Sequence, residues 1–432
     1  MFIFVRINVV KKMLNDLKTF ILLWSTQALS QLGSSMTSFA LSIWIYEKTG
    51  SALQSAGLLI SNYLPYVVVS IFAGALSDKW NKKKTMLICD SIAGVCTIIV
   101  LFLISKDLLQ PWHMYVINAI NGLMNTFQQP ASEVAMALIT PKEYYSKASG
   151  MKSFSRSLIS IFCPILATSI YSLFGITTVC VIDIITFLVA FIVLAFFIVI
   201  PRYINESKEE NIFVLIKEGY KYLKTNKLIL NIILFLSGIN LCASSYDSIV
   251  VPLVLSKTGS ETILGYVTSS AGVAMLFGSM LVTFIKQPND KAKTIYYALF
   301  FSMLFDNFFI ALTDSPIIWC IGQFLGWCLI PVFNAAYDVL FNTTIPVEIR
   351  GRVYSYRNSL QFFTIPIGYF LGGALVDLFE PFMAKQNNNI LTKLFGTGMG
   401  SGAALVMFFM GVVGILICLI YKNKLLYNNR IH

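Results

Sequence analysis

Ionisable side chains inside long apolar stretches are few, and Asp183, Asp247, Asp306 and Arg156 stand out among them. An acid in such a place can carry a proton, provided it is partly desolvated and exposed to each side in turn. Asp247 is the first candidate. It lies on a stripe of polar residues beside Tyr246, five positions before Pro252. Arg156 could pair with an acid or extend to the nearer membrane interface. Gln27, Gln31 and Ser38 share one helical face, as do Asn240, Ser244 and Asp247. Asn118, Asn121, Asn125 and Gln128 make a third stripe, Gln323 and Asn334 a fourth. One amide in hydrocarbon can be a helix–helix hydrogen bond, but four stripes together point to a cavity, since polar groups there must face protein or water. Trp24, Trp327 and Tyr337 stand near these stripes and could either wall a site for a bulky amphipathic ligand or anchor in lipid.

That chemistry is binding and proton carriage rather than bond making. No G-x-x-x-x-G-K-[ST] segment is present to hold ATP. Two histidines, His113 and His432, cannot build a metal site or a Ser-His triad. The eight cysteines lie in apolar stretches without a C-x-x-C pair, so they read as packing residues. Neither a metal nor any other cofactor is expected, and enzymatic activity is not expected either.

The elements that position these residues follow from composition. The chain has 432 residues, 56% hydrophobic and 12% charged, where soluble domains are about a quarter charged. Some 56% apolar content supplies about twelve helices of roughly 20 residues, the length needed to cross a bilayer. The stretches fall at 19–46, 52–77, 85–105, 112–138, 150–174, 176–200, 228–255, 262–285, 294–314, 316–342, 353–379 and 400–421. Only helices satisfy so many separate backbones in lipid. The expected organisation is a cytoplasmic N-terminus (1–18), a six-helix bundle (19–200), a cytoplasmic linker (201–227), a second bundle (228–421) and a cytoplasmic C-terminus (422–432). The opening MFIFVRINVV is too short for a cleavable signal peptide. The linker carries ten charged residues; Ile212, Leu215, Ile216 and Leu223 suggest a helix on the inner membrane face, with a solvated linker as the alternative. The net charge of +11 is read against topology rather than as nucleic-acid binding: 26 Lys and Arg fall on one side of the membrane and five on the other, which places both termini in the cytoplasm.

The halves repeat. Lys48-Thr49-Gly50-Ser51 recurs as Lys257-Thr258-Gly259-Ser260, and Pro141-x-Glu143 as Pro346-x-Glu348. At nearly the same offset Asn118 matches Gln323, Gly122 matches Gly326, Gln129 matches Asn334 and Glu133 matches Asp338. Two six-helix repeats with a site near the midplane are a transporter arrangement.

Between the second and third stretches stands Gly74-Ala-Leu-Ser-Asp78-Lys79-Trp-Asn-Lys82-Lys83-Lys84. It resembles the helix 2–3 signature of the major facilitator superfamily, G-x-L-x-D-[RK]-x-x-[RK]-[RK]. Ser30-Gln31-Leu32-Gly33-Ser34, Trp44-Ile45-Tyr46, Gln129-Pro130-Ala131-Ser132 and Pro346-x-Glu348-x-Arg350-Gly351-Arg352-Val353 look like the macrolide-efflux (Mef-type) branch, over residues 17 to 421. The resemblance implies an all-α membrane protein, twelve transmembrane helices in two pseudo-symmetric bundles, in a bacterial cell membrane. It also implies proton-coupled export of amphipathic, macrolide-like molecules by a monomer working on small molecules, protons and lipid, not nucleic acid. Gly74, Asp78, Lys82, Lys83 and Glu133 would form a conformational latch with the start of helix 11 near Gly351. Helices 1, 4, 7 and 10 line the family's cavity, which coincides with the four stripes; Asp183 and Asp306 would lie on peripheral helices and serve structure first. The family's exporters often carry an acid in helix 1, where this chain has Gln27 and Gln31, and its helix 5 reads Ser160-Ile-Phe-Cys163-Pro164 without the antiporter glycines. A physiological cargo such as a lysolipid, siderophore or peptide metabolite is the alternative, and a receptor or scramblase on the same scaffold a third reading. A reporter fused to the C-terminus should be active only inside the cell; activity outside would overturn the charge-based topology.

Overall fold

The computed structural model describes residues 16–201, 221–284, 288–346, 350–386 and 389–426, with side chains everywhere there except 71–79, 146, 350–352 and 355. No strand occurs among the described residues. The first half contains α1 (Lys18–Thr49), α2 (Ala52–Lys79), α3 (Lys82–Ser105) and α4 (Pro111–Ile139). The run Tyr145–Ile192 then breaks at Gly175, whose φ of 76° glycine alone adopts without strain; its limbs, 145–174 and 176–192, are α5 and α6. The second half contains α7 (Lys227–Thr258), α8 (Glu261–Phe284) and α9 (Lys291–Ala311). Two segments, Pro316–Trp327 and Ile330–Thr344, make α10, interrupted just before Pro331; Arg350–Phe362 and Thr364–Ala384 make α11, interrupted just before Pro366. Ser401–Leu426 is α12. Twelve long helices, two of them interrupted, are thus present among the described residues. Nine runs among the described residues are long and apolar enough to span a membrane by composition. That number merges α5 with α6 and omits α1 and α4, which carry the polar stripes of the first half.

Within the first half α1 packs on the α5–α6 run and α2 on α4; within the second, α7 packs on α11 and α8 on α10. The repeated Lys-Thr-Gly-Ser segments explain part of this symmetry. Gly50 (φ 64°) and Gly259 (φ 61°) end α1 and α7 in the left-handed region, and their N–H groups donate to the carbonyls of Tyr46 and Leu255, each at 2.8 Å. The hydroxyls of Thr49 and Thr258 accept from Ser51 and Ser260 N–H, each at 3.2 Å. Lys48 donates to the Leu109 carbonyl at 3.0 Å, and Lys257 pairs with Asp314, at the matching place in the repeat. The ends of the helices carrying Gly50 and Gly259 are called the turn end below; the other is the terminal end.

The halves meet along α2–α11 and α5–α8. The largest buried cluster crosses between them, joining Ile43 and Ala52 to Ile249, Val376, Ala404 and Met407. Here Asp377 of α11 caps the start of α2: its carboxylate accepts Ala52 N–H at 2.7 Å, Leu53 N–H at 3.2 Å and the Ser51 hydroxyl at 2.5 Å. Tyr46 and Ser256 share a hydrogen bond of 2.5 Å across the same boundary. Gly373 lets the backbones approach, since a Cβ there would lie 2.8 Å from Leu53 Cα.

Of the linker residues, Ile212, Leu215 and Ile216 lie outside the described ones. Leu223 is fully buried in the core of the second half, and Tyr222 donates to the Thr344 carbonyl at 2.9 Å, so this end of the linker packs on protein. All eight cysteines are free, six of them buried. Gly122 is the tightest packing site among the described glycines: a Cβ would stand 1.9 Å from the Asn62 carbonyl oxygen of α2. Gly122→Val should therefore destabilise the protein by about 1–3 kcal/mol, read as a lower Tm in detergent. Gly150→Ala, at a position with open space, should leave Tm unchanged.

Candidate functional site

A cavity of about 740 Å³ runs through the first half. Its walls come from the polar stripe of α1, the amide stripe of α4, and residues of α2, α3, α5 and α6. Gln27, Gln31, Asn118, Asn121, Asn125 and Gln128 all line it, as does Ser38. The helical period places Gln27, Gln31, Ser34 and Ser38 on one side of α1, so the spacing read from sequence is realised as a wall. Asn118 satisfies itself by donating to the Met114 carbonyl at 3.0 Å, while Asn121 Oδ1 is buried without a partner.

One buried acid in the cavity was not singled out from the sequence. Asp90 of α3 is 8% exposed; it accepts from Gln27 Nε2 at 3.2 Å and, in a shorter contact, from Gln128 Nε2. The signal was available, since Asp90 falls inside the stretch 85–105 and meets the criterion that singled out the other ionisable residues. Deeper still, Asp183 of α6 is 3% exposed and accepts the hydroxyls of Ser34 at 2.9 Å and Thr97 at 3.0 Å. Toward the terminal end Glu133 pairs with Lys152 and with Arg156 at 3.3 Å, and Trp24 donates to Ser155 at 3.2 Å. Arg156 thus takes the acid-pairing option.

The stripes of the second half behave differently. Among the described residues only Tyr369 of α11 reaches the cavity from that side. Asn240 donates to the Gln361 carbonyl at 2.9 Å, which ties α7 to α11. Ser244 is 3% exposed in the same seam, where a Cβ on Gly368 would touch its hydroxyl, so it packs helices and does not line the cavity. Gln323 is 2% exposed and bonded to Tyr246. Asn334 is exposed away from the cavity wall. Asp306, 4% exposed, lies beside Tyr246 and Trp327, with Oδ1 unpaired. Asp247 is exposed, and close enough to Tyr369 and Asp306 to act on both electrostatically. Tyr337 donates to Gln361 at 3.2 Å and stacks at 4.2 Å between centroids on Phe341, a packing role.

Of the latch residues, the side chains of Gly74 and Asp78 lie outside the described ones. Lys82 is 4% exposed. Lys83 donates to the carbonyls of Ala195 at 2.9 Å and Ile198 at 2.7 Å, fastening α3 to the end of α6. Glu133 is held by α5 through Lys152 and Arg156. Among the described residues no group of three or more His, Cys, Asp or Glu could hold a metal.

Twelve helices in two repeated halves around a polar cavity are the architecture of a membrane transporter. The family model of the Major Facilitator Superfamily matches residues 23–305, and the chain belongs to that family. It is similar to Macrolide efflux protein A of Streptococcus pyogenes, 26% identical over 372 residues that cover 83% of this chain and 89% of the relative. Macrolide efflux protein A of Enterococcus faecalis is 24% identical, with 74% and 99% covered. An uncharacterized MFS-type transporter of Bacillus subtilis, YfiS, is 23% identical, with 85% and 89% covered. Among solved structures, the nucleoside transporter NupG superposes with a TM-score of 0.63 at 14% identity, covering 93% of this chain and 99% of that one. A bacterial homologue of the human lysosomal transporter Spinster, inward-facing and unoccupied, gives 0.64 at 13% identity, covering 94% and 95%. These likenesses carry the fold. The protein is accordingly a multi-pass bacterial membrane transporter.

In a cysteine-free background, Gln31→Cys and Asn125→Cys, both exposed on the cavity wall, should react with a small water-soluble thiol reagent. Ser244→Cys, in the α7–α11 seam, should react at least tenfold more slowly. Equal rates would remove the distinction drawn here between cavity and seam.

Proposed function

We propose that this chain is a secondary active exporter of amphipathic small molecules, macrolide-like in character, that works by alternating access and is driven by proton entry. One observation carries the reading: a polar cavity inside the first half is sealed from the second half's turn end by the Asp377 cap, the Tyr46–Ser256 bond and the shared apolar cluster. With both termini in the cytoplasm, as the distribution of Lys and Arg supports, the turn end is the outer one and the arrangement is the inward-facing state. A molecule entering from the inner leaflet or cytoplasm meets amide and hydroxyl groups on α1 and α4 and aromatic surface from Trp24, Tyr63 and Tyr369. Such a lining suits a large ligand with scattered oxygens.

Export then requires the outer contacts to part and the inner ends to close. Asp247 is the first candidate for the coupling acid because it is exposed and near Tyr369, which lines the cavity, whereas Asp183 and Asp306 are enclosed by hydrogen-bonding or apolar neighbours. The inner latch is assigned to the 74–84 segment with the start of α11, Lys83 anchoring α3 and Glu133 anchoring α5. The cargo crosses unmodified, by a monomer containing the whole pathway. The resemblance to macrolide efflux proteins favours drug-like cargo over a lysolipid, siderophore or peptide metabolite.

Efflux of a labelled macrolide from cells expressing the chain tests this. A protonophore should abolish it, Asp247→Asn should reduce it at least tenfold at equal expression, and Asp377→Asn should slow it while making Ser51→Cys more reactive from outside. Efflux that stops with protonophore but survives Asp247→Asn would move coupling to Asp183 or Asp306. No efflux from correctly inserted protein would sink the macrolide reading and leave a physiological cargo.

A further inference from the structure

Among the described residues three acids line the cavity, and of these Glu133 has cationic partners. Glu133 faces Lys152 and Arg156, and Asp183 is met by two hydroxyls in a pocket closed by Gly33, whose Cβ would clash with Thr186. Asp90 has no cationic partner among the described residues. Among the described residues its side-chain donors are the amides of Gln27 and Gln128, one on each oxygen. A carboxylate offers about four lone-pair sites, so roughly half its acceptor capacity stays open. It stands eight residues into α3 from Lys82, about 12 Å along the axis at 1.5 Å per residue. Lys82 is therefore well separated from it along the axis, and Lys152 and Arg156, which also line the cavity, are engaged by Glu133. A desolvated, uncompensated carboxylate is expensive unless function retains it.

We infer that Asp90 is the counter-ion for a protonated amine on the exported molecule, with Gln27 and Gln128 as an amide collar that fixes the carboxylate toward the cavity. This rests on the exporter reading above and deepens it: the cargo is an amphipathic amine, and Asp90 decides between charged and neutral analogues. A cation–carboxylate contact in a desolvated site is stronger than the same contact in water, whereas amide walls alone recognise neutral molecules equally well. The collar also explains why two glutamines, on α1 and α4, converge on one residue of α3: each donates without adding charge, leaving the carboxylate negative overall.

The test uses the purified full-length protein and direct binding. The first probe pair is erythromycin, whose dimethylamino group is protonated at neutral pH, and its uncharged N-oxide. The second is tetraphenylphosphonium and neutral triphenylphosphine oxide, which need no macrolide recognition. Asp90→Asn, which keeps the shape and can still bond both glutamines, should weaken each cation at least tenfold and leave each neutral partner within twofold. Asp90→Glu should restore part of the discrimination, and an unchanged elution profile and Tm separate this from misfolding. Equal loss for charged and neutral probes, or no loss for the cations, overturns the assignment, as does failure of every cation to bind the wild-type protein. Binding of tetraphenylphosphonium that depends on Asp90, with no binding of either macrolide, keeps the inference while discarding macrolides as cargo.

Discussion

The fold depends on the carboxylate of Asp377 at the start of α2. A helix leaves its first N–H groups without partners; in α2 those of Ala52 and Leu53 find theirs on the other half of the molecule, while Ser51 Oγ of its own loop accepts Gln54 N–H at 3.1 Å. The apolar cluster around Ile43, Ala52 and Val376 then closes over the same boundary. A charged acceptor binding two backbone donors and a hydroxyl is directional, whereas the apolar cluster and the Gly373 contact hold only while the backbones are close. The cap sets two backbone N–H groups and one hydroxyl on a single carboxylate, so it can be made or lost as one unit. Such a contact suits a transporter better than a continuous hydrophobic core, which deforms little and separates at high cost.

The two halves share geometry and differ in content. Both close their first helix with a left-handed glycine, a threonine acceptor and a lysine tied to the next hairpin. Beyond that scaffold the first half keeps its amides on an open wall, and the second half turns Asn240, Ser244 and Gln323 into helix–helix contacts. Glycines at Gly368 and Gly372 explain the difference. They let α11 press against Ser244, Ser245 and Ser248, and Ser245 donates across the seam to the Gly368 carbonyl at 2.9 Å. Small residues in register draw helices together in lipid, and a stripe that reads as cavity-facing becomes a seam.

How much of the site was legible follows from the same contrast. The amides of α1 and α4 were legible as a polar face, because their spacing puts them on one side of each helix and their cost in lipid demands a reason. The same logic applied to α7 and α10 gave the right faces and the wrong surroundings, since periodicity defines a face but not what stands opposite. Asp90 was readable as an acid within a span and was overlooked. Its meaning came only from Gln27 and Gln128, 63 and 38 positions away. Asp377 was readable as an acid inside the stretch 353–379, but its role was not, because a cap supplied from a distant helix leaves no mark near the helix it caps.

The sequence by itself determined the membrane class, the number of crossings, the twofold repeat and the family. Each is written in local quantities: length of apolar runs, position of charge, and short motifs that the backbone must obey wherever it goes. The tertiary structure decided which polar stripe lines a cavity, which acids find partners, and which end of the molecule is closed. Those depend on what lies across an interface, where one glycine or one distant carboxylate changes a free wall into a contact.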